Sequence, residues 1–314
     1  MAFTPKAQAF SAHINAVTLG TGDNSVVIGG ENVLPFYTFD APIENAPKIG
    51  IQISDLGLTQ LNAPGFQELY AGCSTMAEMA KKAETVEGVS FLCLVFEGAD
   101  PNGEDKSVDE CVAQLKEVAA ATTKPLCIMG CKNVEKDAAL FAAMADAIAG
   151  KNALFLSAKE ENYKQVGASV VMAQNHKMGA ESAVDINLAK QLNVVIGQLG
   201  VDTQSVLMNI GTAAAGYGFE YVSSTLDRVK AAALAQNDTQ LQMPIITPVS
   251  TETWNTKEAV VSEEDMPEWG SREERGIEME ITTAVACLAG GSDAVVMAHP
   301  KAIASVAKMI NALM

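Results

Sequence analysis

Few residues of this chain have the type and spacing to do chemistry. Three histidines occur, His13, His176 and His299, and none stands at helical spacing from another or from a carboxylate set, so the pattern of a protein-held metal is missing. His299 precedes Pro300, where a ring nitrogen caps a following helix or, on the other reading, serves as a base. Cys127 and Cys131 share one face of an extended run but stand too far apart along it to chelate or pair. The six cysteines are scattered and several fall within apolar runs, which reads as buried free thiols. Gly211-Thr-Ala-Ala-Ala-Gly-Tyr-Gly218 offers backbone N–H groups ahead of a helix but lacks the Lys-Ser/Thr end of a P-loop, so a tight turn explains it as well as a phosphate cradle. Lys132 is the strand-end lysine that an aldolase-type Schiff base would use. Trp254 and Trp269 flank Glu263-Glu-Asp265 in the longest loop, either as anchors of a partner interface or as packing groups folded under that loop.

The elements that must hold these groups repeat eight times, each a short apolar run followed by an amphipathic helical pattern. The runs are Ile49 to Ile53, Phe91 to Phe96, Pro125 to Met129, Ala153 to Leu156, Ser169 to Met172, Val206 to Ile210, Met243 to Thr247 and Ala294 to Met297. They are continuously apolar, as parallel strands covered by helices on the outside must be. Ser107 with Glu110 and Ser271 with Glu274 are capping boxes, and Gly150 is a helix stop. The fold class is therefore α/β, a single (β/α)8 TIM barrel spanning 46–314. Residues 1–45 form a lead-in with an N-terminal β-hairpin, Val17-Thr-Leu19 and Val26-Val-Ile28 around a Gly-Asp-Asn turn, placed to plug the barrel bottom. An open doubly wound sheet would carry a glycine-rich turn after its first strand, and Asp55-Leu-Gly-Leu58 is not one.

In a barrel the working groups converge where strands end and βα loops begin. The polar residues expected there are Ser54 and Asp55, Glu97 and Asp100, Lys132 and Asn133, Glu160 to Asn162, Asn175 and His176, Asn209, Thr247 and Ser250, and His299. No nucleophile, acid and base combine convincingly among them. The net charge of -17, from 21 basic against 38 acidic residues, would repel phosphate backbones and anionic lipid, so neither nucleic acid nor membrane is an expected partner. The N-terminus lacks the apolar core of a signal peptide, which points to the cytoplasm.

Several strings are more particular than a barrel requires: Leu34-Pro-Phe36, Gly98-Ala-Asp-Pro101 with Ser107-Val-Asp109, Val134-Glu-Lys-Asp137, Glu161-Asn-Tyr-Lys164, Asp185-Ile-Asn187 with Lys190-Gln-Leu-Asn193, Gly216-Tyr-Gly218 with Glu220-Tyr221, Trp254 with Lys257-Glu-Ala259, and Glu274-Arg-Gly-Ile277. In these, and in their order over nearly the whole chain, the sequence resembles the small subunit of the corrinoid iron-sulfur protein family. The resemblance implies a TIM barrel paired as a heterodimer with a large subunit that carries the iron-sulfur cluster and the cobamide domain. It implies a methyl carrier of the Wood–Ljungdahl pathway, taking its methyl group from methyltetrahydrofolate methyltransferase and delivering it on cobalt to CO dehydrogenase/acetyl-CoA synthase. On the same ground this chain would be non-catalytic, would hold no iron-sulfur cluster, and would cap the corrinoid shared with the large subunit. Asp100, Asn162, Asn209 and Tyr217 are then the expected corrinoid-facing residues, with Trp254 and Trp269 at the partner interface. One departure is the segment Met208-Asn-Ile-Gly-Thr, where an Asp-Pro turn is expected of better-known relatives. The alternative is an enzyme of the same fold, a pterin-dependent methyltransferase gripping its pterin with Asp55, Asp100 and Asn209.

Overall fold

A computed structural model describes residues 6–58 and 63–314. Ten strands occur among them. β1 (Val17–Leu19) and β2 (Val26–Ile28) pair antiparallel as the expected hairpin. The barrel strands are β3 (Lys48–Ser54), β4 (Val89–Val95), β5 (Leu126–Met129), β6 (Leu154–Ala158), β7 (Lys177–Glu181), β8 (Val206–Asn209), β9 (Ile246–Pro248) and β10 (Ala294–Met297). They run in the parallel order β8-β7-β6-β5-β4-β3-β10-β9. The ring closes through a parallel bridge between Met208 and Ile245, with Met208 N–H donating to the Pro244 carbonyl at 2.8 Å. No helix among the described residues is long and apolar enough to cross a membrane.

Because side chains alternate across a strand, β4 sends Phe91, Cys93 and Val95 into the barrel and Leu92 and Leu94 to the helical shell. The inner cluster also takes Cys127, Met129, Leu154, Leu156, Leu207, Ile246 and Val296, and it continues downward into Val17, Leu19 and Ile28 of the hairpin. The hairpin is thus the floor of the barrel. Asn152, just ahead of β6, fixes it by donating to the carbonyls of Thr18 at 2.9 Å and Gly20 at 3.0 Å. Gly50 in β3 is required by the same interior, since a Cβ there would stand 2.2 Å from the Phe91 ring.

A buried ionic cluster holds the lead-in to the barrel. Lys230 Nζ donates to Glu31 at 2.6 Å and to both oxygens of Asp293 at 2.8 and 2.9 Å, and Asp293 also accepts the Ile245 N–H at 2.7 Å. Burial first, then the neighbouring Glu31 charge, push Asp293 well above the usual carboxylate range. Burial opposes the charge of Glu31 too, yet Lys230 overrides it and leaves that carboxyl low.

The fifth unit departs from expectation. Ser169 to Met172 belongs to a helical segment, Gly167–Met172, that continues the helix Tyr163–Val166, and the strand is Lys177–Glu181 instead. The β-branched pair Val170-Val171 is buried on a helix face, so packing overrides its strand propensity. The true strand has only Met178, Gly179 and Ala180 between charged ends, a weak signal, and Gly179 is needed because a Cβ would meet Leu156 at 2.3 Å. Asn175 and His176 consequently lie at the bottom of the barrel, ahead of β7. His176 Nδ1 accepts the Ala153 N–H and its Nε2 faces the Ala145 carbonyl, both at 3.0 Å. Burial lowers its pKa, so it sits there as a neutral strut.

Candidate functional site

At the upper end of the strands the inner apolar layers of Met129 and Leu156 give way to a cavity of about 160 Å³. Its polar wall is built from neighbouring strand ends. Asn209 closes β8; its Nδ2 donates to Ser157 Oγ of β6 at 3.1 Å and faces Glu181 Oε2 of β7 at 3.5 Å, while its Oδ1 accepts the Gly211 N–H at 3.2 Å. Glu181 pairs in turn with Lys159 at 3.2 Å, each about a third exposed. Lys132, Asp137, Thr212, Thr251 and Glu252 complete the rim. Among the described residues the hydroxyl of Thr212 is buried without a partner.

The Asp137 side of the cavity is rigid. Its Oδ1 accepts the Cys131 N–H at 2.7 Å and the thiol at 3.3 Å. A Cβ on Gly130 would fall 2.1 Å from that oxygen, so the strand end must be glycine for the carboxylate to reach in. Burial raises the Asp137 pKa and pushes the Cys131 thiol up to about 12, which leaves the sulfur protonated and unreactive.

The residues singled out in the sequence are distributed unevenly around this cavity. Asn209 and Lys132 line it. Tyr217 stands 45% exposed, and its hydroxyl donates to Glu258 at 2.7 Å and accepts the Lys257 N–H at 3.2 Å, joining two mouth loops. Asp100 shapes its own turn by accepting from Asn102 N–H at 2.9 Å. Asn162 is buried, with Oδ1 accepting the Lys159 N–H at 2.8 Å and Nδ2 donating to the Val134 carbonyl at 3.3 Å. Asp55 has no free oxygen: Oδ1 accepts the Gly98 N–H at 2.9 Å and Oδ2 pairs with Lys106 at 3.1 Å. Gly211, Gly216 and Gly218 all hold positive φ, so the glycine-rich loop is a succession of tight turns.

His299 caps the last helix, Pro300–Leu313, its Nδ1 accepting the Lys301 N–H at 3.2 Å while Nε2 lies 3.1 Å from Glu273. Burial lowers its pKa against the pull of Glu273. Behind it, buried Glu280 of the helix Arg272–Gly290 accepts the N–H groups of Ala298 and His299 at 2.6 and 3.0 Å. Of the two readings given for Trp254, the contacts within this chain are those of a group packed under its loop. It is 7% exposed, stacked 5.6 Å from the His299 ring and edge-on to Phe66 at 4.8 Å. It fits there because Gly276 leaves room for the indole. Trp269 is 37% exposed beneath the Arg275 guanidinium, 5.5 Å from its ring centre.

Sequence reasoning missed Ser157, Lys159, Glu181 and Thr212. Glu181 was lost with the misplaced fifth strand, and Ser157 and Lys159 because the run Leu154-Phe-Leu was ended at Leu156 although β6 continues to Ala158. As chemistry, the cluster offers hydrogen bonds and the Lys159–Glu181 ion pair. Among the described residues no group of three or more His, Cys, Asp or Glu could hold a metal ion.

Comparison with known proteins gives one family and one fold. Residues 16–300 match the model of the CO dehydrogenase/acetyl-CoA synthase delta subunit. The acetyl-CoA decarbonylase/synthase complex subunit delta of Archaeoglobus fulgidus is 30% identical over 99% of this chain and 71% of its own length. That of Methanothermobacter thermautotrophicus is 29% identical over 96% of this chain and 76% of its own. Among solved structures, dihydropteroate synthase from Xanthomonas albilineans with 4-aminobenzoic acid superposes with a TM-score of 0.56 at 13% identity, covering 95% of this chain and 98% of that one. At that identity the likeness is one of fold.

Proposed function

The chain belongs to the CO dehydrogenase/acetyl-CoA synthase delta subunit family, and from that premise we propose that it is a non-catalytic subunit that covers a corrinoid held mainly by a larger partner. The carrying observation is the mouth itself. A cavity of about 160 Å³ is far too small to enclose a corrin ring, yet it is rimmed by polar strand ends above the packed Met129 and Leu156, which suits contact with part of one face of a larger ligand. Its polar atoms are already largely bonded to one another through Asn209, Ser157, Glu181 and Lys159. The Thr212 hydroxyl, buried beside them, has no partner among the described residues, and a shift of its loop on complex formation would bring it to a ligand.

The fit is that of a lid. His176 and His299 are buried and bonded within the barrel, so neither would reach a bound corrinoid. A bound corrinoid would supply the cobalt on which the methyl group travels. This chain's residues would do three things: Asn209 and Thr212 would hydrogen-bond the ligand's periphery, the Lys159–Glu181 pair would keep the rim neutral overall, and the covered face would be kept from water. Exposed Tyr217 and Trp269 stand on loops around the mouth, where they would meet the large subunit of a heterodimer. The methyltetrahydrofolate methyltransferase and the CO dehydrogenase/acetyl-CoA synthase would then approach once the lid swings aside.

Co-expression with a large corrinoid-bearing subunit should give a one-to-one complex, and Asn209→Leu should weaken the change in the corrinoid absorption spectrum that accompanies complex formation while leaving the barrel folded. A chain that alone binds methyltetrahydrofolate tightly and methylates free cobalamin in stopped-flow would refute the proposal.

A further inference from the structure

The polar side chains at the ends of β6, β7 and β8 touch in sequence around the mouth cavity, and two of them have bonding capacity left over. Ser157 Oγ accepts the Asn209 amide at 3.1 Å. Its own proton reaches no acceptor among the described residues, although Ser157 is only 9% exposed and lines the cavity. The same Asn209 Nδ2 lies 3.5 Å from Glu181 Oε2, the long limit of a hydrogen bond, while Glu181 Oε1 is held by Lys159 at 3.2 Å. A carboxylate oxygen has two lone pairs, so Oε2 still has room for a donor, and the Glu181 side chain is 32% exposed on the cavity wall. A spare hydroxyl proton and a spare carboxylate oxygen thus stand on either side of one amide nitrogen. A nearly buried hydroxyl that accepts without donating calls for an acceptor from outside the chain.

We propose that this pair receives one carboxamide arm of the covered ligand, the arm's carbonyl accepting the Ser157 O–H and its NH2 donating to Glu181. The proposal rests on the mouth being a lid over a corrinoid, a ring whose edge carries such arms. A space of about 160 Å³ admits a short arm where it excludes the ring, and Met129 and Leu156 beneath offer apolar contact to the arm's methylene stem. Charge on the lining sets the specificity. Lys132 and Lys159 are matched by Glu181 and Glu252, so a neutral group with a donor and an acceptor is satisfied at both ends. A carboxylate arm would instead stand against Glu181, and an ester arm would leave that oxygen without a donor.

The test titrates the full chain with two corrinoids, diaquocobinamide, whose arms are amides, and heptamethyl cobyrinate, whose arms are methyl esters with the same carbonyls but no N–H. Binding is followed by the corrinoid absorption bands. Cobinamide should bind saturably and about ten- to hundredfold more tightly than the ester, the worth of a hydrogen bond to a charged group. Glu181→Met should abolish that preference by weakening cobinamide alone. Ser157→Ala should weaken both corrinoids about three- to tenfold, because both present the carbonyl. Glu181 is partly exposed, so its variant serves if the serine variant folds poorly. No cobinamide binding, equal affinity of the parent for the two corrinoids, or a preference that survives Glu181→Met would overturn the arm site. A one-to-one complex with the large subunit would in those cases still support the lid, whereas failure of that complex to form would remove the lid and the arm site together.

Discussion

Replacing Lys230 by methionine tests how the lead-in is held to the barrel. The ammonium is 3% exposed and is the shared counter-ion of Glu31 and Asp293, which lie 2.6 and 2.8 Å away. Methionine keeps the stem and its packing but leaves two buried carboxylates facing each other. Breaking a buried ion pair in this way costs about 3–5 kcal/mol. With an unfolding entropy of about 2.1 cal/mol/K per residue over the chain, Tm should fall by about 5–8 °C. The loss should also depend on pH. Asp293 is already raised by burial and by Glu31; without the lysine both carboxyls rise in the folded state. A raised folded value means that stability is complete below the unfolded pKa and drains away as pH climbs. The deficit against the parent should therefore be small near pH 4 and largest above pH 7. Thermal melts followed by circular dichroism at those two pH values are sufficient. A deficit under about 1 °C at pH 8, or one that grows toward acid, would refute the ionic account.

Other outcomes follow from the same contacts. Gly50→Ala should overpack the barrel interior against Phe91 and cost about 1–3 kcal/mol, read as a lowered urea midpoint with unchanged m, and Phe91→Leu in the same chain should recover part of it. Burial holds Glu280 at about 7, above its usual 4.5, so stability should decline as pH rises through that window, by on the order of 3 kcal/mol. Glu280→Gln, which keeps an acceptor for one of the two N–H groups, should flatten that decline; an identical pH profile would show the carboxyl is not its source. Gly276→Ala should dislodge Trp254, whose ring lies 2.4 Å from the added methyl group, and shift tryptophan emission to the red in a Trp269→Phe background.

Much of the scaffold was legible because it rests on local rules. The continuous apolar runs announced seven of the eight barrel strands, Ser107 and Ser271 marked the helix starts they cap, and the hairpin followed from two β-prone runs around a turn. At Lys177–Glu181 the pattern points to the wrong element, because that strand's apolar run is only Met178 and Ala180 around Gly179, which leaves room for Leu156, between two charged ends. The mouth suffered accordingly. Asn209 was found from the end of a clear strand, whereas Glu181 was hidden by the misplaced one.

Sequence alone therefore determined the eightfold βα repeat, the hairpin ahead of it and, through strings spread over the chain, the family. Periodicity and capping act between residues a few positions apart, and order along the chain preserves them. Tertiary structure decided which polar groups are free. Asp55 is consumed by Gly98 and Lys106 and the Asn162 amide by the Val134 carbonyl, partners that sequence cannot place beside them, Trp254 is turned under its loop by a glycine in a later helix, and Lys230 finds Glu31 across 199 positions. Such pairings are set by how the barrel closes on itself, and a linear pattern carries no record of that geometry.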